Sequence, residues 1–194
     1  AIGSHQQAAA IADLATALRR AVLERRPVAL NTPADFEWEE VEYVPAVATF
    51  AENRPVLREG TDMDNAVGII AAARAPIVLA GRGAAYPEAE AALRRLAERT
   101  GALLATTLKG RGLFADDPAN LGVFGTLSTP VAGDLIMQSD CVIAFGASLN
   151  TFTAAKGPYL EGKRIIQCNL DAGAVGAEIT PDAGLVGDPA GIAD

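Results

Sequence analysis

The hydrophobic and polar positions between residues 61 and 188 follow two alternating patterns. Apolar residues at three- and four-residue spacing predict amphipathic helices that begin at Thr61 or Asp62, at Pro87 and at Thr129-Pro130. Short continuous apolar runs are typical of strands buried on both faces, and they lie at 77–80, 102–106, 141–145, 163–168 and 184–188. This alternation predicts an α/β fold, a doubly wound parallel sheet of about five to six strands with helices on both faces.

The same spacing predicts which side of each helix faces the sheet. The inward positions are Met63, Ala66, Val67 and Ile70 in the first helix, Ala89, Ala92, Leu93, Leu96 and Ala97 in the second, and Val131, Leu135 and Ile136 in the third. Pro87 suits the first position of the second helix, and Gly101 is expected to end it.

The first 60 residues do not continue this alternation. Apolar spacing predicts one helix from about residue 8 to residue 26, and residues 27–31 predict a short strand. Because this helix and strand have no sheet of their own to join, we expect residues 1–35 to be the carboxyl-terminal remnant of another domain. Residues 36–60 carry an acidic run and two prolines without a sustained period, and they predict a linker to the main domain at 61–194.

Composition excludes several classes of function. A net charge of −8 argues against nucleic acid as a partner, because phosphate binding needs a basic face. The chain has no apolar run of membrane-spanning length and no secretory signal, and we expect a cytoplasmic protein. The single histidine, His5, argues against sites built on several histidines. Cys141 and Cys168 lie in apolar runs and are expected to be buried, reduced thiols.

Glycine-rich or polar segments follow most of the predicted strands. In a parallel sheet these segments meet at one edge, where such folds bind ligands. They are Gly81-Arg82-Gly83, the loop 106–112, Gly146-Ala147-Ser148, Asn169-Leu170-Asp171 and the end of the last strand at Asp188.

Each of these segments has a purely structural interpretation of comparable weight. The glycines serve a tight turn as well as a ligand, and Asp171 and Asp188 equally suit turn capping. Tyr86 stands where a dinucleotide fingerprint needs glycine or alanine, and no acidic residue ends the next strand, which disfavours simple NAD binding. The segment Lys109-Gly110-Arg111-Gly112 suggests phosphate binding but lacks the spacing of a P-loop and its Ser or Thr after the lysine. The residues alone therefore predict a nucleotide-shaped domain without an assigned reaction.

The order of the motifs is more specific than any one of them. The chain has a strand followed by Gly-x-Gly at 76–83, Thr-Thr-Leu-x-Gly-x-Gly at 106–112, Asp-Asp-Pro-x-Asn-Leu-Gly-x-x-Gly-Thr at 116–126, Ser-Asp-Cys-Val-Ile-Ala-Phe-Gly-Ala-Ser at 139–148, Ile-Ile-Gln-Cys-Asn-Leu-Asp at 165–171 and Val-Gly-Asp at 186–188. This set resembles the Rossmann-like central domain of thiamine-diphosphate-dependent enzymes of the acetolactate synthase and pyruvate oxidase group. Residues 14–35 resemble the end of the pyrimidine-binding domain that precedes it.

The resemblance implies a transferase or lyase that makes or cleaves a carbon–carbon bond at a 2-keto acid. It implies thiamine diphosphate and Mg²⁺ held by flanking pyrimidine- and diphosphate-binding domains, so that this segment binds neither and carries no catalytic residue. It also implies a homo-oligomer, a dimer or tetramer, when the protein is full length.

Some members of the family bind FAD or ADP in the central domain. The matching positions are Gly81, Gly83, Thr107, Gly110, Gly146, Ala147, Asn169, Asp171 and Asp188. Two departures favour a domain without flavin: Val123-Phe124 replaces the Met-His of flavin-binding members, and residues 148–152 lack their arginines. A free-standing FAD or ADP module stays an alternative. A sirtuin-like deacylase is disfavoured, since it needs a catalytic histidine and usually a zinc-binding cysteine set.

Overall fold

The computed structural model describes residues 4–23, 26–34, 38 and 60–194. They fall into two units, one within residues 1–53 and the other within residues 54–194. In the first unit, helix α1 spans Ser4–Leu23, so it begins earlier and ends earlier than the apolar spacing predicts. The predicted strand at 27–31 was wrong: residues 27–33 have neither helical nor strand structure. A strand is defined by hydrogen bonds to a neighbouring strand, and among the described residues this segment has none. The predicted linker at 36–60 lies outside the described residues, except for residues 38 and 60.

The second unit is built on six parallel strands in the order β3-β2-β1-β4-β5-β6. The strands are β1 (Pro76–Ala80), β2 (Leu103–Thr106), β3 (Asn120–Val123), β4 (Cys141–Phe145), β5 (Arg164–Asn169) and β6 (Ala183–Val186). The parallel α/β sheet is thereby confirmed. The sequence analysis missed β3, an edge strand whose pairing with β2 shifts register between Leu104 and Thr106. It has no continuous apolar run, and Gly122 adopts a φ of 81° within it.

Helices cover both faces of this sheet. On one face, α2 (Thr61–Ala72), α3 (Pro87–Thr100) and α5 (Pro189–Ala193) contribute to a core that contains Leu93, Leu104 and Ile143. On the other face, α4 (Pro130–Gln138) and the segment after β4 pack over Leu79 and Val142. Strand residues alternate between the two cores, and β1 and β4 are buried along their whole length. A doubly wound sheet requires this pattern, because each central strand faces helices or loops on both sides.

The helix termini follow the expected chemistry with one exception. Pro87 opens α3, and Gly101 ends it with a φ of 68°, as predicted. Helix α2 is capped by Gly60 rather than by the Thr61 or Asp62 side chain. The short helix α5 was not predicted, although Asp188 followed by Pro189 is a typical start signal.

Three residues predicted to face the core are exposed instead. Val67 is 57% exposed and Val131 is 71% exposed, and Leu135 is also on the surface. Ala66 and Ile136, which were also predicted to face the core, are buried, and Ala132 is buried beside them. Ala66 and Ala132 face the sheet next to the exposed valines, because alanine lets a helix approach the sheet closely. Val67 and Val131 lie at the margin of the buried stripe.

Arg94 on α3 fixes the connection between β2 and β3. Its guanidinium group lies 2.6 Å from Asp116, 2.6 Å from Asp117 and 2.8 Å from Glu90. It also stacks over the buried Phe114 ring at 5.5 Å. One guanidinium group thus pairs with three carboxylates and holds this connection against the helix.

Asp140 joins the end of α2 to the start of the sheet. Its carboxylate accepts hydrogen bonds from the backbone N–H groups of Arg74, at 2.8 Å, and Ala75, at 3.0 Å. The Arg74 N–H makes the largest contribution to lowering the pKa of this carboxyl, because it stabilises the charged form. Asp140 therefore stabilises the fold most strongly while it is ionised.

We expect Asp140→Asn to lower the free energy of unfolding at neutral pH by up to about 1 kcal/mol, since one of the two N–H groups loses its acceptor. A carboxyl with a depressed pKa stabilises the native state above its unfolded pKa of about 3.9, and this contribution fades as the pH falls through the lower native value. The Tm difference between wild type and variant should therefore shrink below about pH 4. Asp134→Asn, on the exposed side of α4, is the matched control. A Tm difference that is constant from neutral to acidic pH would contradict this role.

Candidate functional site

The candidate site lies at the carboxyl ends of the strands. The strand order reverses between β1 and β4, and the connections on either side of such a reversal leave in opposite directions. The predicted segments at 81–83, 106–112 and 146–148 follow β1, β2 and β4, which are neighbours in the sheet. Asn169 and Asp188 follow β5 and β6, farther along the same edge.

Gly81, Gly83 and Gly146 pack against one another at this reversal point. A Cβ atom on Gly81 would lie 2.1 Å from the carbonyl oxygen of Gly146, and one on Gly83 would lie 2.9 Å from the Cα atom of Gly146. A Cβ atom on Gly146 would in turn lie 2.6 Å from the Gly83 backbone, and its φ is 59°. The three glycines are thus required by close contact between two backbones.

The amide groups of these glycines are already bonded within the sheet edge. The N–H of Gly81 donates to Phe145 at 2.8 Å, that of Gly83 to Gly146 at 3.2 Å, and that of Gly146 to Cys168 at 2.9 Å, all through carbonyl oxygens. A diphosphate held at this turn would need free N–H groups. The N–H groups of Gly81, Gly83 and Gly146 are therefore not available to bind a diphosphate.

The second predicted segment packs beside the first. The N–H of Thr107 donates to the carbonyl of Ala80 at 2.9 Å, and a Cβ atom on Gly110 would lie 2.9 Å from that same carbonyl oxygen. Ala147 is buried, and its Cα atom contacts the position where a Gly81 side chain would begin. The structure therefore brings together six of the nine predicted residues: Gly81, Gly83, Thr107, Gly110, Gly146 and Ala147.

The other three predicted residues make local capping bonds. Asn169 accepts from the N–H of Asp171 through Oδ1 at 3.2 Å, and Asp171 accepts from Gly173 at 2.9 Å. Asp188 is buried and caps α5 by accepting from Ala190 at 3.0 Å. Its Oδ1 also accepts from the hydroxyl of Tyr86 at 2.8 Å. These contacts correspond to the turn-capping interpretation of Asp171 and Asp188.

Gln167 is a site-supporting residue that the sequence analysis did not single out. It is 1% exposed on β5, and its Nε2 donates to the carbonyl of Ala147 at 3.1 Å. Its Oε1 accepts from the N–H of Gly176 at 2.9 Å. The signal was present, since one amide side chain interrupts the apolar run at 165–168 and a buried amide must find partners.

The two cysteines offer no reactive thiolate, and the described residues offer no set of metal ligands. Cys141 and Cys168 are buried and not joined in a disulfide, as predicted. Burial raises the pKa of the Cys141 thiol to about 11 and that of Cys168 further still, so both stay protonated at neutral pH. Among the described residues, no group of three His, Cys, Asp or Glu side chains is arranged to hold a metal ion. In the same part of the chain, no helix is long and apolar enough to cross a membrane.

Comparison with known proteins gives a match over most of the chain. The family model of the central domain of thiamine pyrophosphate enzymes matches residues 63–194. Glyoxylate carboligase of Escherichia coli O157:H7 is 29% identical over 168 residues, which cover 84% of this chain and 28% of that protein. Acetolactate synthase of Arthrospira platensis is 29% identical over 171 residues, which cover 84% of this chain and 30% of that protein. Acetolactate synthase of Mycobacterium bovis is 35% identical over 125 residues, which cover 63% of this chain and 20% of that protein. The chain thus spans less than a third of the length of these relatives.

Proposed function

Because the chain belongs to the thiamine pyrophosphate enzymes and corresponds to their central domain, we propose that it is part of an acetolactate-synthase-like enzyme that makes or cleaves a carbon–carbon bond at a 2-keto acid. The observation that carries the proposal is the family match over residues 63–194. The names of the relatives, acetolactate synthase and glyoxylate carboligase, support this class of reaction.

The proposed role of this segment is architectural. Thiamine diphosphate and Mg²⁺ would bind on the flanking pyrimidine- and diphosphate-binding domains, where the cofactor supplies the chemistry that stabilises a carbanion next to a carbonyl. The described residues do not fit the metal–diphosphate group, since they lack a set of three metal-ligating side chains. We assign residues 1–35 to the end of the pyrimidine domain, 36–60 to a linker and 61–194 to the central domain. A homo-oligomer and a cytoplasmic location are further predictions.

A nucleotide at the carboxyl edge is supported only by the general fold. The hydrogen bonds of Gly81, Gly83 and Gly146 to backbone carbonyls count against FAD or ADP held on those amides. The proposal is therefore a central domain that positions its neighbours and does not rely on bound flavin.

A pair of measurements tests this proposal. The full-length protein that contains this chain should release CO₂ from a small 2-keto acid, with glyoxylate and pyruvate as probes, only when thiamine diphosphate and Mg²⁺ are present. This chain alone should give no heat on calorimetric titration with thiamine diphosphate and Mg²⁺. Tight cofactor binding by the chain alone would overturn the architectural role, and a full-length protein inactive with both 2-keto acids would overturn the proposed reaction.

A further inference from the structure

Three cations lie on two adjoining turns at the carboxyl edge of the sheet. Arg82 belongs to the short 3₁₀ turn Arg82–Ala84 after β1, and Lys109 belongs to the similar turn Leu108–Gly110 after β2. The two turns contact each other, and Arg111 directly follows the second. Gly110 packs against the backbone of Ala80 and Gly81, so residues next to all three cations are in contact. All three side chains are exposed.

These cations form no ion pair within the part of the chain that the structure describes. No carboxylate of residues 60–194 forms an ion pair with Arg82, Lys109 or Arg111. The acidic residues that follow Arg111 most closely, Asp116 and Asp117, are paired with Arg94 instead. A chain of net charge −8 thus has three cations without an ion pair on two contacting turns and the residue that follows them. Like charges held together repel each other, and an anion removes that repulsion.

The backbone under the cations is fixed. The N–H of Gly83 donates to Gly146 and the N–H of Thr107 donates to Ala80, so both turns are bonded to the sheet edge. The backbone positions from which the three side chains extend toward a bound anion are therefore fixed by the sheet edge. The guanidinium groups offer forked donors that match phosphate and carboxylate oxygens.

We propose that Arg82, Lys109 and Arg111 form a binding site for a small multivalent anion, one that carries phosphate or carboxylate groups. The site recognises charge and not a nucleoside, because the residues of the two turns supply cations and one exposed leucine, Leu108, but no aromatic ring. It uses side chains and not the glycine amides, which are bonded to carbonyl oxygens. The site needs neither thiamine diphosphate nor the flanking domains, so it stands or fails separately from the proposed reaction.

The test is calorimetric titration of this chain with inorganic pyrophosphate, citrate and ADP at low ionic strength, repeated at high salt. We expect pyrophosphate and citrate to bind, ADP to bind no more tightly than pyrophosphate, and salt to weaken all three. The double variant Arg82→Gln/Arg111→Gln should weaken pyrophosphate binding about tenfold or more, a change of about 1.4 kcal/mol or more, since two charged donors are lost.

The matched control is Arg74→Gln/Arg99→Gln. These two exposed arginines precede β1 and β2 and lie toward the opposite edge of the sheet, so their removal changes the net charge equally. Circular dichroism would establish that both variants are folded. No binding of pyrophosphate or citrate at low salt would overturn the proposal, as would an equal loss in both double variants. ADP binding far more tightly than pyrophosphate would show nucleoside recognition and would also overturn it.

Discussion

Gly146→Ala is expected to lower the free energy of unfolding by about 3 kcal/mol or more, the largest effect among the substitutions considered. Gly146 has a φ of 59°, a conformation that costs an alanine about 1–2 kcal/mol. The new methyl group would also lie 2.6 Å from the backbone of Gly83. Backbone atoms cannot rotate away as a flexible side chain can, and overpacking of this kind costs about 1–3 kcal/mol more. Chemical denaturation followed by circular dichroism measures the sum.

Gly162→Ala separates the two causes. Gly162 has a similar φ of 72°, but a Cβ atom there would meet nothing within 4 Å. Only the conformational cost of about 1–2 kcal/mol should then appear. Equal losses in the two variants would mean that the close contact between Gly146 and the Gly83 backbone contributes nothing to the effect of Gly146→Ala.

Gln167→Met is expected to cost about 2–3 kcal/mol. Methionine has nearly the same volume, so the packing is kept and the hydrogen bonds are removed. The carbonyl of Ala147 and the N–H of Gly176 would lose their partner in a buried position. Each unsatisfied group costs about 1–3 kcal/mol, and some relief from water is expected on the turn that contains Gly176. The free energy of unfolding from urea denaturation is the measurement.

Gln138→Met provides the control for this change. Gln138 ends α4 and is exposed, so the same chemical substitution should alter stability by less than about 0.5 kcal/mol. If Gln167→Met were as mild, the polar bridge between β5 and the turn after β4 would have no role in stability.

The sheet was predictable because its central strands are continuous apolar runs that have no exposed face. β1 and β4 are buried at every position, which is what the runs at 77–80 and 141–145 indicated. β3 was missed because an edge strand of four residues needs no such run. The exposed Val67 and Val131 show the limit of helical spacing: it locates the apolar stripe but not its margin, which depends on how closely each helix approaches the sheet.

The candidate site was predictable in position but not in role. The glycines at 81, 83 and 146 do lie at the reversal of strand order. A glycine can leave room for a ligand or for another segment of backbone. Both roles depend on the missing Cβ atom, so they give the same sequence signal. The backbone contact is seen only in the structure, where a Cβ atom on Gly81 would lie 2.1 Å from the carbonyl oxygen of Gly146. The Tyr86–Asp188 hydrogen bond joins residues 102 positions apart, and no local pattern could have indicated it.

The strand order also bears on how quickly this domain reaches its native state. The central pair joins Pro76 with Cys141, and the chain between them forms two helices and two further strands of the same unit. A long stretch must lose its freedom before this pair can form, and domains rich in such distant pairings fold slowly. Until β4 pairs with β1, one edge of the apolar strand β1 has unpaired backbone groups that can pair with other chains. Refolding at high protein concentration should therefore compete with aggregation, and yields should improve on dilution.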